Sequence, residues 1–173
     1  MDGVFLGSKG SRRTVLILLA VVMIFALGIW YMLRPKGTVA PDFSLVDLEG
    51  NTFRLSEIRG KVVVIDFMAT WCGPCLLQIS EYKAVWGEFK DEIVLISIDI
   101  DPGESEDILR AFIQQFTYAT WTWARGTANL AEAYEVAYIP KTVIIDQEGH
   151  IRYSHVGVTS ASALIQEIED LLG

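Results

Sequence analysis

Cysteine and histidine are nearly absent from this chain, with two of each in 173 residues. The cysteines stand together in Trp71-Cys72-Gly73-Pro74-Cys75. A lone Cys-x-x-Cys is either half of a zinc site or a redox pair. Zinc needs two further soft or imidazole ligands at suitable spacing. There is no third cysteine, and His150 and His155 lie far downstream. They read as a turn residue and a strand residue, and no metal is expected. The cysteines therefore read as a redox pair. A strand-like run precedes them and a helical pattern follows, which sets Cys72 at a helix N-terminus. Partial positive charge there favours a thiolate.

Positive charge is scarce outside the first 36 residues. Those carry Lys9, Arg12, Arg13, Arg34 and Lys36 against one acid, Asp2. Removing five and one from the totals of 14 basic and 22 acidic residues leaves 9 and 21, a net charge of −12 for the rest. Nucleic acid is excluded as a partner by that balance, and so is docking on anionic lipid. A solvated acidic surface is the plain explanation.

Charge of either sign is missing from Thr14 to Leu33, TVLILLAVVMIFALGIWYML. This run raises the hydrophobic content to 51% and the mean hydropathy to +0.35. It is long enough to cross the lipid bilayer as a helix. A cleaved signal peptide would have a shorter apolar core and a small-residue cleavage site. Thr38-Val39-Ala40 is the candidate for one, but Pro41 follows it. An uncleaved anchor fits better. Three basic residues before the span and two after it place the N-terminus in the cytoplasm. Trp30 and Tyr31 suit an interface. The expected organisation is a disordered tail over 1–13, a transmembrane anchor over 14–33, a linker over 34–40 and one folded domain over 41–173. So short a tether keeps the domain near the membrane, on its extracytoplasmic side.

No internal repeat or low-complexity tract interrupts the rest. Phe43 and Leu45, then Phe53 and Leu55, mark two short strands around the Glu49-Gly50-Asn51 turn. Ser56 is the expected cap of a short turn ending at Gly60. Lys61 to Met68 is valine-rich enough to be a central strand buried on both faces, with Asp66 its one acid. Cys75, Ile79, Tyr82, Trp86 and Phe89 share one helical face. A second buried strand covers Glu92 to Ile100, and Glu104 to Phe116 reads as a helix. Thr120 to Trp123 reads as a strand, and Asn129 to Tyr134 as a short helix capped by Asn129. Lys141 to Asp146 and Ile151 to His155 form a hairpin, and Ser160 to Leu172 a closing helix. After the first hairpin the order is β-α-β-α-β-α-β-β-α. That implies a mixed sheet with helices on both faces.

Two blocks, APDFSLVDLEGNTFRLSEIRGKVVVIDFMATWCGPC and YIPKTVIIDQEGHI, resemble the TlpA/ResA-like branch of membrane-anchored thioredoxin-fold redoxins. The resemblance covers about residues 40–173. It implies an α/β thioredoxin fold with an extra N-terminal β-hairpin, preceded by one transmembrane helix. It implies a thiol–disulfide oxidoreductase that reduces disulfides of extracytoplasmic proteins, cytochrome c maturation factors among them. No cofactor is implied. The partners are protein disulfides or dithiols outside the cytoplasm, and an upstream membrane reductant. Cys72 matches the exposed nucleophile and Cys75 the resolving cysteine, with a redox disulfide between them. Ile139-Pro140 matches the cis-proline site that holds the substrate strand; an ordinary strand-start proline is the alternative. Gly73-Pro74 is similar to the thioredoxin dipeptide and points to a reducing pair.

Three positions depart from that pattern. Asp66 stands where this branch often has asparagine, although thioredoxins have a buried aspartate there. Gln78 stands where ResA-like members place a glutamate, and an amide cannot accept a proton. Ser80 replaces a usual helix-kinking proline. Proton acceptance from Cys75 then falls to Asp66, whose pKa burial would raise; a hydrogen-bonded structural acid is the alternative. Trp71 either shields the site and contacts partners or is a half-buried core aromatic. Leu76 and Leu77 cannot both join the inner face of their helix, so one of them is expected to face outward as a small apolar rim beside Cys72. Two other readings stay open. A thiol peroxidase would share the fold, but the peroxidase loop's proline is missing before Cys72. A Sco-like copper-binding factor would need Cys-x-x-x-Cys and a histidine where Ile139-Pro140 stands.

Overall fold

The strand that the rest of the sheet is built around is Val62–Met68, in which all seven residues are buried. The computed structural model describes residues 9–32 and 37–173, with side chains over 14–29 and 37–173. Met1–Lys36 and Gly37–Gly173 form separate compact units. In the first, α1 runs Lys9–Met32, so the backbone of residues 9–13 is helical where a disordered tail was expected. Residues 1–8 and 33–36 lie outside the described residues, as do the side chains of Trp30 and Tyr31. The large apolar side chains from Val15 to Ile29 are exposed. Their stretch measures about 22 Å at 1.5 Å per residue, and the hydrocarbon core is about 30 Å thick. Among the described residues no helix is long and apolar enough to cross a membrane.

The second unit is a six-stranded sheet with a separate hairpin. In chain order the strands are β1 (Thr38–Val39), β2 (Ser44–Val46), β3 (Thr52–Arg54), β4 (Val62–Met68), β5 (Ile93–Asp99), β6 (Thr122–Arg125), β7 (Lys141–Ile145) and β8 (His150–Val156). The main sheet runs β1-β8-β7-β4-β5-β6, while β2 and β3 pair alone. β4 is parallel to β5 and antiparallel to β7, so the sheet is mixed. The helices are α2 (Gly73–Phe89), α3 (Glu106–Ile113), α4 (Ala128–Ala133) and α5 (Ala161–Leu172).

The period-two alternation of a strand sorts β4 onto two cores. Val62, Val64 and Met68 pack with Ile79, Tyr82, Val85 and Phe89 of α2, Leu109 and Phe112 of α3, and Leu164 and Ile168 of α5. Val63, Ile65 and Phe67 pack on the other face with Leu45 of the hairpin, Leu55, and Leu130 and Tyr134 at α4. The expected thioredoxin-like α/β architecture is present, and so is the extra hairpin. Gly50 turns that hairpin at φ 87°, a left-handed conformation suited to glycine. Leu48 N–H donates to Trp123 O at 2.9 Å and Asp47 bridges Ala124. The hairpin thereby covers the open edge of β6, which would otherwise invite another strand.

Several boundaries differ from the sequence reading. β1 lies inside the segment read as linker and pairs with β8. Its two residues are too few for a period to show. Ser56 does not cap its turn. It lies inside the 3-10 turn Leu55–Ile58, and both its N–H and hydroxyl bind Asp42. α3 is shorter than expected at both ends, with Ser105 as its cap. β6 begins two residues later than expected. Thr127, not Asn129, caps α4 by accepting from Leu130 N–H at 3.2 Å. On α2 the buried face also takes in Gln78 and Val85, while Trp86 is only partly buried.

Candidate functional site

Cys72 is the N-cap of α2, and its sulfur accepts the Cys75 N–H at 3.2 Å. Pro74 sits in the first turn, where a missing N–H costs nothing. The three-residue step places Cys75 over Cys72 on one face, and the two are joined as a disulfide. Cys72 is 3% exposed and Cys75 1%. An openly exposed Cys72 was expected; in the disulfide form it is almost covered.

Asp66 lies beneath this helix. By strand alternation its side chain points to the same face as Val64 and Met68, into the core that contains both cysteines. It is fully buried. In register it sits between Ser97 on β5 and Thr142 on β7, so three polar residues cross the middle of an apolar sheet. Ser97 hydroxyl donates to Asp66 Oδ2 at 2.9 Å, and Trp121 indole N–H donates to Ser97 Oγ at 3.0 Å. Tyr82 Oη and Thr142 Oγ1 lie 2.7 Å apart. Among the described residues Asp66 Oδ1 accepts no hydrogen bond. Burial raises the Asp66 pKa to about 7, and the Ser97 and Tyr82 hydroxyls only temper it. These partners are neutral, so no cation offsets the desolvation. A carboxyl that gains or loses its proton near neutral pH results. Burial, then the Asp66 charge, holds the Tyr82 phenol well above its ordinary value.

On the other side of the motif, the loop after β5 grips the residues that lead into Cys72. Glu104 accepts from both the N–H and the hydroxyl of Thr70. Trp71 indole N–H donates to Asp101 Oδ2 at 2.5 Å, and Ile100 N–H donates to Met68 O at 3.0 Å. That bond from Trp71, with the Gly103 N–H, holds Asp101 below its usual pKa. Asp99 is pushed up to about 6, first by burial and then by the Glu104 charge, against the pull of its hydrogen bond from Asp101 N–H and of Arg125. Trp71 is 68% exposed, which overturns its reading as a half-buried core aromatic. Beside it a cavity of about 290 Å³ is lined by Ala69, Ile100, Pro102 and Val136 to Ile139.

Ile139-Pro140 is a cis peptide. Pro140 is buried, and Ile139 packs against the cluster that holds the cysteines. Lys141 follows, buried, with its ammonium donating to Tyr134 O at 2.6 Å and Glu135 O at 3.0 Å. It ties both ends of the 134–140 loop. Leu76 and Leu77 are both exposed, at 38% and 61%, so the rim has two leucines rather than one. Ser80 hydroxyl donates back to Leu76 O at 3.1 Å, which satisfies the hydroxyl within the helix. His150 opens β8, and His155 pairs with Glu167 of α5 at 2.9 Å. Among the described residues the one grouping of metal-capable side chains is Asp146, Glu148 and His150. Asp146 in that group already accepts from His150 N–H and Arg152.

Sequence reasoning named Cys72, Cys75, Asp66, Trp71, Ile139 and Pro140. It missed Ser97, Thr70, Asp99, Asp101, Glu104 and Lys141. Ser97 had a visible signal: like Asp66, it is a polar residue inside an apolar strand run. The acids of the 99–104 loop read only as a strand break and a helix start.

The AhpC/TSA family model matches residues 36–154. The chain is 30% identical over 135 residues to the thioredoxin-like protein YneN of Bacillus subtilis, covering 78% of this chain and 79% of that one. It is 29% identical over 135 residues to the thiol-disulfide oxidoreductase ResA of Geobacillus kaustophilus, covering 78% and 77%. Among solved structures, a putative thiol:disulfide interchange protein DsbE from Chlorobium tepidum superimposes with a TM-score of 0.71 at 31% identity. That match covers 80% of this chain and 98% of the other.

Proposed function

This chain belongs to the AhpC/TSA family and is a thiol–disulfide oxidoreductase, and from that premise we propose that it is a membrane-tethered reductant of protein disulfides outside the cytoplasm. One observation carries the dithiol mechanism: the Cys72–Cys75 pair closes the first turn of α2 above a buried carboxyl of pKa about 7.

In the reduced protein the α2 N-terminus favours the Cys72 thiolate. That thiolate attacks one sulfur of the partner's disulfide. A mixed disulfide forms, and the partner's other sulfur leaves as thiolate and takes a proton from solvent. Asp66 then accepts the proton of the Cys75 thiol, the general-base step. Cys75 sulfur attacks Cys72 sulfur, the mixed disulfide breaks, and the partner leaves with both sulfurs reduced. The Cys72–Cys75 disulfide remains, to be reduced by an upstream membrane dithiol. Pro140 and Ile139 hold the partner's strand, Trp71 covers the approach, and no cofactor takes part.

The tether rests on residues 14–33. Their charge-free run, with its apolar side chains exposed over 15–29, supports a bilayer as the medium that covers them. The reducing direction rests on the Gly73-Pro74 dipeptide. Cytochrome c maturation factors are among the substrates this reading includes.

Two measurements test the proposal. A potential near roughly −270 mV supports a reductase, and one near roughly −120 mV sinks it in favour of an oxidase. Cys75→Ser should arrest the cycle at the mixed disulfide, so its cross-linked partner can be isolated and identified. A partner confined to the cytoplasm would overturn the extracytoplasmic assignment.

A further inference from the structure

Gln78 lies one turn after Cys75 on α2 and is fully buried. Its carboxamide engages one backbone residue from both sides. Nε2 donates to Thr159 O at 3.2 Å, and Oε1 accepts Thr159 N–H at 2.7 Å. Thr159 belongs to the turn between β8 and α5. Gly157 opens that turn at φ 89°, a conformation that favours glycine. Gly157 N–H donates to Pro140 O at 2.8 Å. Proline has no N–H, so this carbonyl is its only backbone hydrogen-bonding group. Glu81, a further turn along α2, accepts Ala161 N–H at 2.7 Å and fixes the far end of the same turn. A continuous set of bonds therefore runs from the cysteine helix to the cis-proline.

The demand at position 78 is for one donor and one acceptor at neutral pH. A carboxamide supplies both, whereas an ionised carboxylate only accepts. A glutamate here, ionised, would leave the Thr159 carbonyl facing a negative charge.

We propose that Gln78 is a positioning residue for the exchange reaction: it locks the 157–160 turn, and through Gly157 the Pro140 carbonyl, at a fixed distance from the cysteines. The inference rests on the proposed role of Pro140 in holding the partner's strand. Its consequence is selective. A protein disulfide, which must lie along the proline segment, needs the lock. A small disulfide, which only collides with Cys72, does not.

The test uses the full chain with Gln78→Met and Gln78→Glu, and two probes: insulin, and a dithiobis-nitrobenzoate disulfide. Gln78→Met should raise the insulin KM about tenfold, as loss of two buried hydrogen bonds suggests, with the small-disulfide rate within about twofold of the parent. Amide hydrogen exchange at residues 157–159 should quicken. Gln78→Glu should match the Met variant at high pH and recover the insulin-to-small-disulfide ratio as pH falls, because a neutral carboxyl again has one donor and one acceptor. Cys75, Glu81 and Tyr82 are the titratable neighbours on α2, and residues 157–164 carry no titratable side chain. Cys72 and Asp66 ionisation enter both assays and divide out of the ratio. If a folded Gln78→Met keeps the parent's ratio, or Gln78→Glu shows no recovery at low pH, the proposal is wrong. Should the Met variant not fold, the Glu variant at low pH decides alone. If the parent exchanges neither probe, the function fails rather than the lock.

Discussion

Asp66 sets the pH behaviour of this protein at the scale of one residue. Its pKa is raised by burial from 3.8 to about 7, so the folded state holds a proton that the unfolded state has already released between those values. Its contribution to stability is full below about pH 4 and is lost as pH rises to about 7. At 1.36 kcal/mol per unit, that loss is on the order of 4 kcal/mol. Asp66→Asn cannot ionise and lacks this slope. In denaturant titrations of the oxidised protein, its stability relative to the parent should climb from pH 4 to 7 and level off above. A flat difference would show that Asp66 is not buried in its neutral form. The same substitution should slow protein-disulfide turnover near pH 7 on the order of a hundredfold, the size of a lost general base. Capture of the first mixed disulfide should change little.

At the scale of one element, the segment from Asp99 at the end of β5 to Glu104 carries three acids and binds the backbone of Thr70 and the indole of Trp71, the two residues before Cys72. Asp99 titrates at about 6 because of burial and the Glu104 charge. Raised in the fold, it too contributes stability that is lost as pH rises, here between about 4 and 6. Glu104→Gln removes the neighbouring charge and should shrink the loss in that window. Glu104→Ala removes that charge too, and relative to Glu104→Gln should cost about 2–3 kcal/mol more, since it leaves the Thr70 N–H and hydroxyl without their acceptor. Unfolding measured at pH 4, 6 and 8 on both variants separates charge from hydrogen bonding. Equal slopes in Glu104→Gln and the parent would remove Glu104 as a cause of the Asp99 shift.

Over the whole molecule the two units differ in the medium each suits. Residues 37–173 carry a net charge of −12 and have two apolar cores, and residues 14–29 present apolar side chains outward. An acidic domain is repelled by anionic lipid, so the proposed tether predicts attachment of the full chain through the apolar run and not through charge. The full chain should stay with vesicles of anionic or neutral lipid through a high-salt wash. The chain without residues 1–36 should remain in solution and react with a small disulfide at the parent's rate. Salt-sensitive release of the full chain would overturn the anchor.

How much could be read in advance follows from how local each signal is. The valines of β4, the alternation of the hairpin around Gly50, and the three-residue step from Cys72 to Cys75 are short-range patterns, and each leads to its element by sterics and burial alone. The fold class and the redox pair were therefore determined by the sequence. The caps and edges were not, because Ser56 and Asn129 are good cap types that lost to Asp42's side chain and to Thr127 respectively. Only the tertiary structure aligned Ser97, Asp66 and Thr142 across three strands, since register is set by pairing between residues 31 and 76 positions apart. It also decided what replaces the missing glutamate. The sequence determined that position 78 cannot accept a proton. The fold, by bringing residue 159 to residue 78, decided that its amide has a donor and an acceptor to satisfy.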